Sequence, residues 1–221
     1  MRLLPLGDQG LLAYCDDETS ALNLAVRVRQ RKHPWILDVV QAYTSVAFFV
    51  DLHQIDFTQA TNHLMEANPA GAEKAQEFVG KLHVIPCCYE MGLDVARVAQ
   101  AAALSADDVI RLHSEQIYTV YAIGFCPGFP YLGYLPKELS GVPRLESPRV
   151  RVEEGSVGLT GRQTGIYTEA RPGGWNIIGR TPLQLVCVAD GYFPLRTGDR
   201  VSFRRIDERE FRELAGARLE V

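Results

Sequence analysis

"PRLESPRVRVEEGSVGLTGRQTGIYTEARPGGWNIIGRTP", residues 143–182, settles the architecture of most of this chain. Short apolar runs of three to five residues are cut by Gly and Pro at nearly every turn. No helix survives that punctuation, whereas strands of a sandwich or barrel need it. The pattern extends in both directions. "YTVYAIGF" (118–125), "LQLVCVAD" (183–190) and "DRVSFRRI" (199–206) share the same spacing and predict further strands. "KLHVIPCCYE" (81–90) predicts another. Two helical stretches follow it: "LDVARVAQAAAL" with Asp94 as cap, and "SADDVIRLHSEQI" with Ser105 and Asp108 at capping-box spacing. The tail "DEREFRELAG" reads as a short helix.

The first third reads differently. "LGDQGLLAYC" predicts a strand, and "ETSALNLAVRVRQRKH" a helix with Thr19 as its N-cap, ended before Pro34. "ILDVVQAYTSVAFFVD" predicts two strands joined near Tyr43 and Thr44. "FTQATNHLMEA" is a helix capped by Asp56 or Thr58. Residues 68–80 carry Pro, Gly and charge without an apolar face and are the expected linker. The expected fold class is α+β: a small α+β domain over 1–78 and a β-barrel domain over 79–221.

Composition narrows the function. The chain has 221 residues, 47% hydrophobic, with a net charge of −4. That balance argues against sequence-independent nucleic-acid binding, which needs a basic surface. The basic run from Arg27 to Lys32 reads as a solvated helix face. Five cysteines without a framework spacing fit a reduced, cytoplasmic setting. Pro5, Gly7 and Asp8 break the N-terminus too early for a signal peptide. No apolar run reaches the length of a membrane span. There is no zinc-ligand spacing, no P-loop and no nucleophile elbow, so no metal site is expected. Cys87 and Cys88 read as core cysteines.

Two glycine-rich constellations remain: 112–136, which holds "GFCPGFPYLGYLP", and 143–182. Glycine lets backbone approach another surface, proline stiffens the loop, and aromatics supply rigid contact area. Arg144, Arg149, Arg162, Arg171 and Arg180 are donors suited to carboxylate or phosphate. Together these make either a small-anion pocket or a docking surface.

"GFxPGFPYLG" (124–133), "PRxxxPRxRVxxGSVG" (143–158), "GxQTGIYxxxxPGGWxIIGRTP" (161–182) and "GDRVxF" (198–203) occur in this order. The set resembles the B-subunit family of the prokaryotic 5-oxoprolinase, which includes a sporulation kinase-A inhibitor and allophanate hydrolase subunit 1. The resemblance covers nearly the whole chain. It implies a cyclophilin-like β-barrel after a smaller α+β domain, and it implies partner subunits A and C. It also implies ATP as co-substrate, with Mg2+ an accompanying option and no tightly bound cofactor, used to open a small cyclic amide. The alternatives are a histidine-kinase inhibitor and a urea- or allophanate-processing subunit. This chain departs from the family at "VEEGSV" (152–157), where Glu153 and Glu154 would repel an anionic substrate if they faced inward, and at Arg162.

Lactam opening with ATP requires a held carboxylate, a phosphorylated amide oxygen and neutralised charge. Arg149 and Arg180, inside the matching motifs, are the expected catalytic cations, each with a surface ion pair as its alternative. His113 is either a general acid/base or a histidine bonded to the Pro–Gly loop. Gln163, Thr164, Tyr167 and Trp175 are expected to bind substrate, with turn stabilisation and barrel core as the other readings. Phe125, Phe129, Tyr131 and Tyr134 are the expected partner contacts. Both constellations are expected to form one side of a shared cleft.

Overall fold

The structure is a computed structural model that describes residues 1–67 and 80–219. The expected linker falls almost wholly on 68–79 and lies outside the described residues. The chain divides into two compact units, Met1–Val79 and Gly80–Val221.

Among the described residues the first unit is a four-stranded antiparallel sheet with two helices. Its elements are β1 (Arg2–Leu6), β2 (Gly10–Tyr14), α1 (Glu18–Arg31), β3 (Ile36–Ala42), β4 (Ser45–Val50) and α2 (Phe57–Glu66). The spatial order is β1-β2-β4-β3. Alternation puts Val46, Phe48 and Val50 of β4 on one face, where they meet Leu24, Ala25 and Val28 of α1 and Leu64 of α2. Three local expectations are corrected. The segment read as one strand from Leu6 is the second half of a hairpin, turning at Gly7 with φ +65°. Asp17, not Thr19, caps α1 by accepting from the Ser20 N–H at 2.6 Å. Arg27 and Arg29 are not simply solvated: they donate to the Ala67 and Val39 carbonyls. Asp56 caps α2 in a capping box with Gln59.

The second unit begins with β5 (Leu82–Cys87), α3 (Val95–Ala102), α4 (Ala106–Glu115), β6 (Ile117–Ile123) and β7 (Pro130–Gly133). It continues through β8 (Arg149–Val152), β9 (Ser156–Thr160), β10 (Gln163–Ile166), β11 (Arg171–Gly173), β12 (Asn176–Arg180), β13 (Arg200–Arg205) and α5 (Glu208–Glu213). Seven strands form one sheet in the order β12-β9-β10-β7-β6-β13-β5, and β8 pairs with β11 beside it. A backbone bridge between Cys88, just past β5, and Arg180 of β12 joins the two edges, so the sheet closes into a barrel. Val120, Leu132, Val157, Leu159, Ile166, Ile178, Val201 and Phe203 fill the interior. Each such side chain stabilises the fold by roughly 1.5–3 kcal/mol through burial.

The expected strand at 183–190 is absent. Gln184 N–H bonds to the Ala217 carbonyl, and Cys187 pairs only locally with Tyr192. Among the described residues no helix is long and apolar enough to cross a membrane.

Candidate functional site

The two constellations meet, and aromatic rings join them. β7 pairs with β10, Tyr131 opposite Gly165. The lack of a side chain at Gly165 makes room for the Phe129 ring, since a Cβ there would stand 3.0 Å from it. Phe129 then packs edge-to-face against Tyr131 (5.0 Å), Phe125 (5.3 Å), Tyr167 (5.3 Å) and Trp175 (5.5 Å). Such pairs contribute about 0.5–1.5 kcal/mol each beyond burial. Polar contacts pin the same loop: Thr168 Oγ1 donates to the Pro127 carbonyl at 2.7 Å and touches Cys126 Sγ at 3.5 Å.

This cluster presents two groups outward. Phe125 is 59% exposed and sits at φ +66°, a backbone region costly for a non-glycine residue. Arg144 is exposed, with no carboxylate partner among the described residues. Burial pushes the Tyr131 and Tyr167 phenols up from their ordinary value, and the nearby Arg144 charge pulls both partly back. An exposed ring, a guanidinium without a carboxylate partner and a half-buried phenol have the chemistry to hold a small carboxylate.

Several residues expected as partner or substrate contacts are buried or otherwise engaged. Phe129 is buried and cannot touch a partner; it is the centre of the cluster. Tyr167 and Trp175 are also buried within it, walls of the platform rather than ligand contacts. Tyr134 is half-buried under the Arg162 guanidinium, 4.6 Å from its ring. Gln163 opens β10 and is half-exposed.

Thr164 and His113 are both fully buried. Thr164 Oγ1 donates to the Gly158 carbonyl at 2.9 Å, so it must accept from His113 Nε2–H at 3.0 Å. That fixes the tautomer: His113 Nδ1 accepts from the Tyr89 hydroxyl at 2.8 Å. Burial alone pushes the imidazole pKa down to about 3, so it is neutral at physiological pH. His113 is therefore a satisfied core histidine, with no face toward a substrate.

Arg149 Nη2 donates to Asp94 Oδ1 at 2.7 Å, while Asp94 Oδ2 accepts from the Ile177 N–H at 2.7 Å. Asp94 occupies the cap position of α3 without capping it by side chain; it ties the start of α3 to β8 and β12 instead. A cap is a local signal in sequence, whereas the partners of Asp94 are 55 and 83 residues away.

Arg180 stands apart from the aromatic cluster. Its Nε donates to the Glu154 carbonyl at 2.8 Å, and its guanidinium carbon lies 5.9 Å from the Phe211 ring centre. It lines a cavity of about 400 Å³ with Glu154, Gln184 and Phe211, and no residue of 124–136 lines that cavity. Phe129 therefore does not line the cavity that Arg180 lines. Glu153 is held by Arg151 at 2.7 and 3.1 Å and is not among the residues lining the cavity, whereas Glu154 is. Among the described residues no three His, Cys, Asp or Glu side chains group as metal ligands.

The family described as "Carboxyltransferase domain, subdomain C and D" matches residues 1–189. A protein of Bacillus subtilis (strain 168), named as the B subunit of 5-oxoprolinase, is 35% identical over 199 residues, 85% of this chain and 82% of that one. A protein of the same name from Haemophilus influenzae is 43% identical over 149 residues, 66% of this chain and 68% of that one. Among solved structures, TTHA0988 superposes with a TM-score of 0.78 at 32% identity over 90% of this chain. This chain spans only 40% of the TTHA0988 chain.

Proposed function

We propose that this chain, which belongs to the B-subunit family of 5-oxoprolinases, serves as the B component of an ATP-dependent complex that opens 5-oxo-L-proline to L-glutamate. The observation that carries this reading is the set of relatives named as 5-oxoprolinase B subunits, 35–50% identical to this chain. The partners are homologues of subunits A and C, and the chain alone is inactive. The setting is cytoplasmic. ATP, with Mg2+, enters at a site completed by those partners.

The chemistry divides the labour. Phosphoryl transfer from ATP to the amide oxygen makes the ring carbonyl carbon electrophilic and releases ADP. Water adds to that carbon and the C–N bond breaks. The freed amine takes a proton and becomes an ammonium, and further hydrolysis releases phosphate and leaves the new carboxylate. This chain contributes recognition: Arg144 holds the substrate carboxylate, Tyr131 offers its phenol, and Phe125 meets the partner. Fixed donors of this kind supply orientation and charge stabilisation.

The test is reconstitution. The purified chain mixed with subunits A and C, ATP and 5-oxo-L-proline should yield glutamate in proportion to ATP consumed. Turnover of urea or allophanate in place of the lactam, or none from any combination, refutes the reading.

A further inference from the structure

The cavity beside Arg180 is lined by two residues of opposite charge, Arg180 and Glu154, that form no ion pair among the described residues. The Arg180 guanidinium uses Nε on the Glu154 backbone carbonyl, and no carboxylate among the described residues comes within ion-pair distance of it, although its charge is felt at Glu153. Glu154 lines the same space, and its carboxylate has no ion-pair partner among those residues, its neighbour Glu153 having taken Arg151. The two residues line one small cavity, and the bond between them is Arg180 Nε to the Glu154 backbone carbonyl, not an ion pair. That arrangement selects a ligand carrying both signs a few bonds apart.

The rest of the lining refines the choice. Pro182, Leu183 and the Phe211 ring form an apolar wall suited to methylene groups. Gln184 Oε1 is occupied, accepting from Arg218 Nε at 2.8 Å, which leaves its amide N–H groups to donate. The tail of the chain holds the wall in place: Gly216 N–H bonds to the Pro182 carbonyl at 3.0 Å and Gln184 N–H to the Ala217 carbonyl at 2.9 Å.

We propose that this cavity binds a free α-amino acid as its zwitterion, with the α-carboxylate on Arg180, the ammonium on Glu154 and a side-chain carbonyl or carboxylate on the Gln184 amide. L-Glutamate and L-glutamine have this shape. A lactam does not, because its nitrogen is an uncharged amide and offers Glu154 no cation. The site therefore discriminates an opened amino acid from the cyclic amide, and it stands whichever amide the complex consumes.

The experiment is calorimetric titration of the full 221-residue chain, without partner subunits, using L-glutamate, N-acetyl-L-glutamate and 5-oxo-L-proline as probes. L-Glutamate should bind at least tenfold more tightly than either of the others. Glu154→Gln, an exposed position that tolerates substitution, should weaken L-glutamate at least tenfold and leave N-acetyl-L-glutamate unchanged or tighter. Arg180→Met should weaken both. Equal affinity for the three probes, no L-glutamate binding at millimolar concentration, or an unaltered titration in Glu154→Gln overturns the proposal. Because the readout is binding to the chain alone, it is independent of whether lactam turnover is reconstituted.

Discussion

Cys88 and Arg180 exchange two backbone hydrogen bonds, Cys88 N–H to the Arg180 carbonyl at 2.8 Å and Arg180 N–H to the Cys88 carbonyl at 3.0 Å. The pair joins the first strand of the barrel to β12, at the opposite edge of the seven-stranded order. It also places the Arg180 side chain, because the backbone at that residue is fixed on both its donor and its acceptor. The cation beside the cavity is thus held by barrel closure.

Closure depends on a bare backbone next door. A Cβ at Gly179 would lie 2.5 Å from Cys87 Sγ and 3.2 Å from the Cys88 carbonyl oxygen, and both neighbours are buried. Gly179→Ala should destabilise the barrel by about 2 kcal/mol, the usual scale of overpacking. Gly124→Ala, where the new methyl meets only a Tyr131 ring atom at 4.0 Å, should leave stability unchanged. Denaturant unfolding of the two variants checks the contrast.

His113 gives the fold a pH dependence with a defined sign. Its pKa falls from 6.5 to about 3 on folding, so between those values the unfolded chain binds a proton that the folded chain does not. Stability is therefore full above about pH 6.5 and falls as pH drops toward 3, by about 1.4 kcal/mol per pH unit from this one group. Between pH 7 and pH 5 the loss should be about 2 kcal/mol. His113→Gln should be less stable at pH 7 yet show a shallower fall, as measured by urea midpoints at the two pH values.

The same residue shows where sequence reasoning ends. Alternating patterns located β5, β6 and β13 because one-sided burial imposes period two on any such strand. The 183–190 segment carries the same pattern and is not a strand, since its backbone partners lie in the tail near Ala217. The meeting of 124–136 with 143–182 was legible from glycine and aromatic density. Partner assignments were not. His113 finds Thr164 across 51 residues and Arg149 finds Asp94 across 55, and no local signal encodes either pairing. Arg144 and Glu154 were visible as charges, but only the fold distinguishes an occupied charge from a free one.

Asp94 carries more of the fold than a cap would. It is nearly buried and accepts from both Arg149 Nη2 and the Ile177 N–H. Removing one partner of such a pair leaves a charge with little solvent, at a cost of about 3–5 kcal/mol when burial is complete. Arg149 keeps 27% exposure, so Asp94→Ala should cost about 3 kcal/mol. Glu153→Ala, which breaks the exposed pair with Arg151, should show no measurable change. Thermal unfolding of the two variants reads the difference. Arg149→Met should track Asp94→Ala in stability and, once folded, retain the KM for the lactam in the reconstituted complex, as expected of an arginine that positions strands.

Phe125 combines two features that oppose stability. Its ring is mostly in solvent, and its backbone occupies a region that glycine tolerates and phenylalanine resists. A residue that gains little from burial and carries strain is the one expected to act outside the folded chain, as the proposed partner contact requires. Phe125→Gly relieves the strain, so the isolated chain should be as stable as the parent or more so, by up to about 1 kcal/mol, with its edge-to-face contact to Phe129 as the offsetting loss. The assembled complex should respond in the opposite direction. Glutamate formation should require at least tenfold more of this chain to reach half-maximal rate, with the rate at saturation preserved. A Phe125→Gly variant that loses thermal stability and assembles normally would place the ring among ordinary packing residues and remove the partner-facing role from this corner of the barrel.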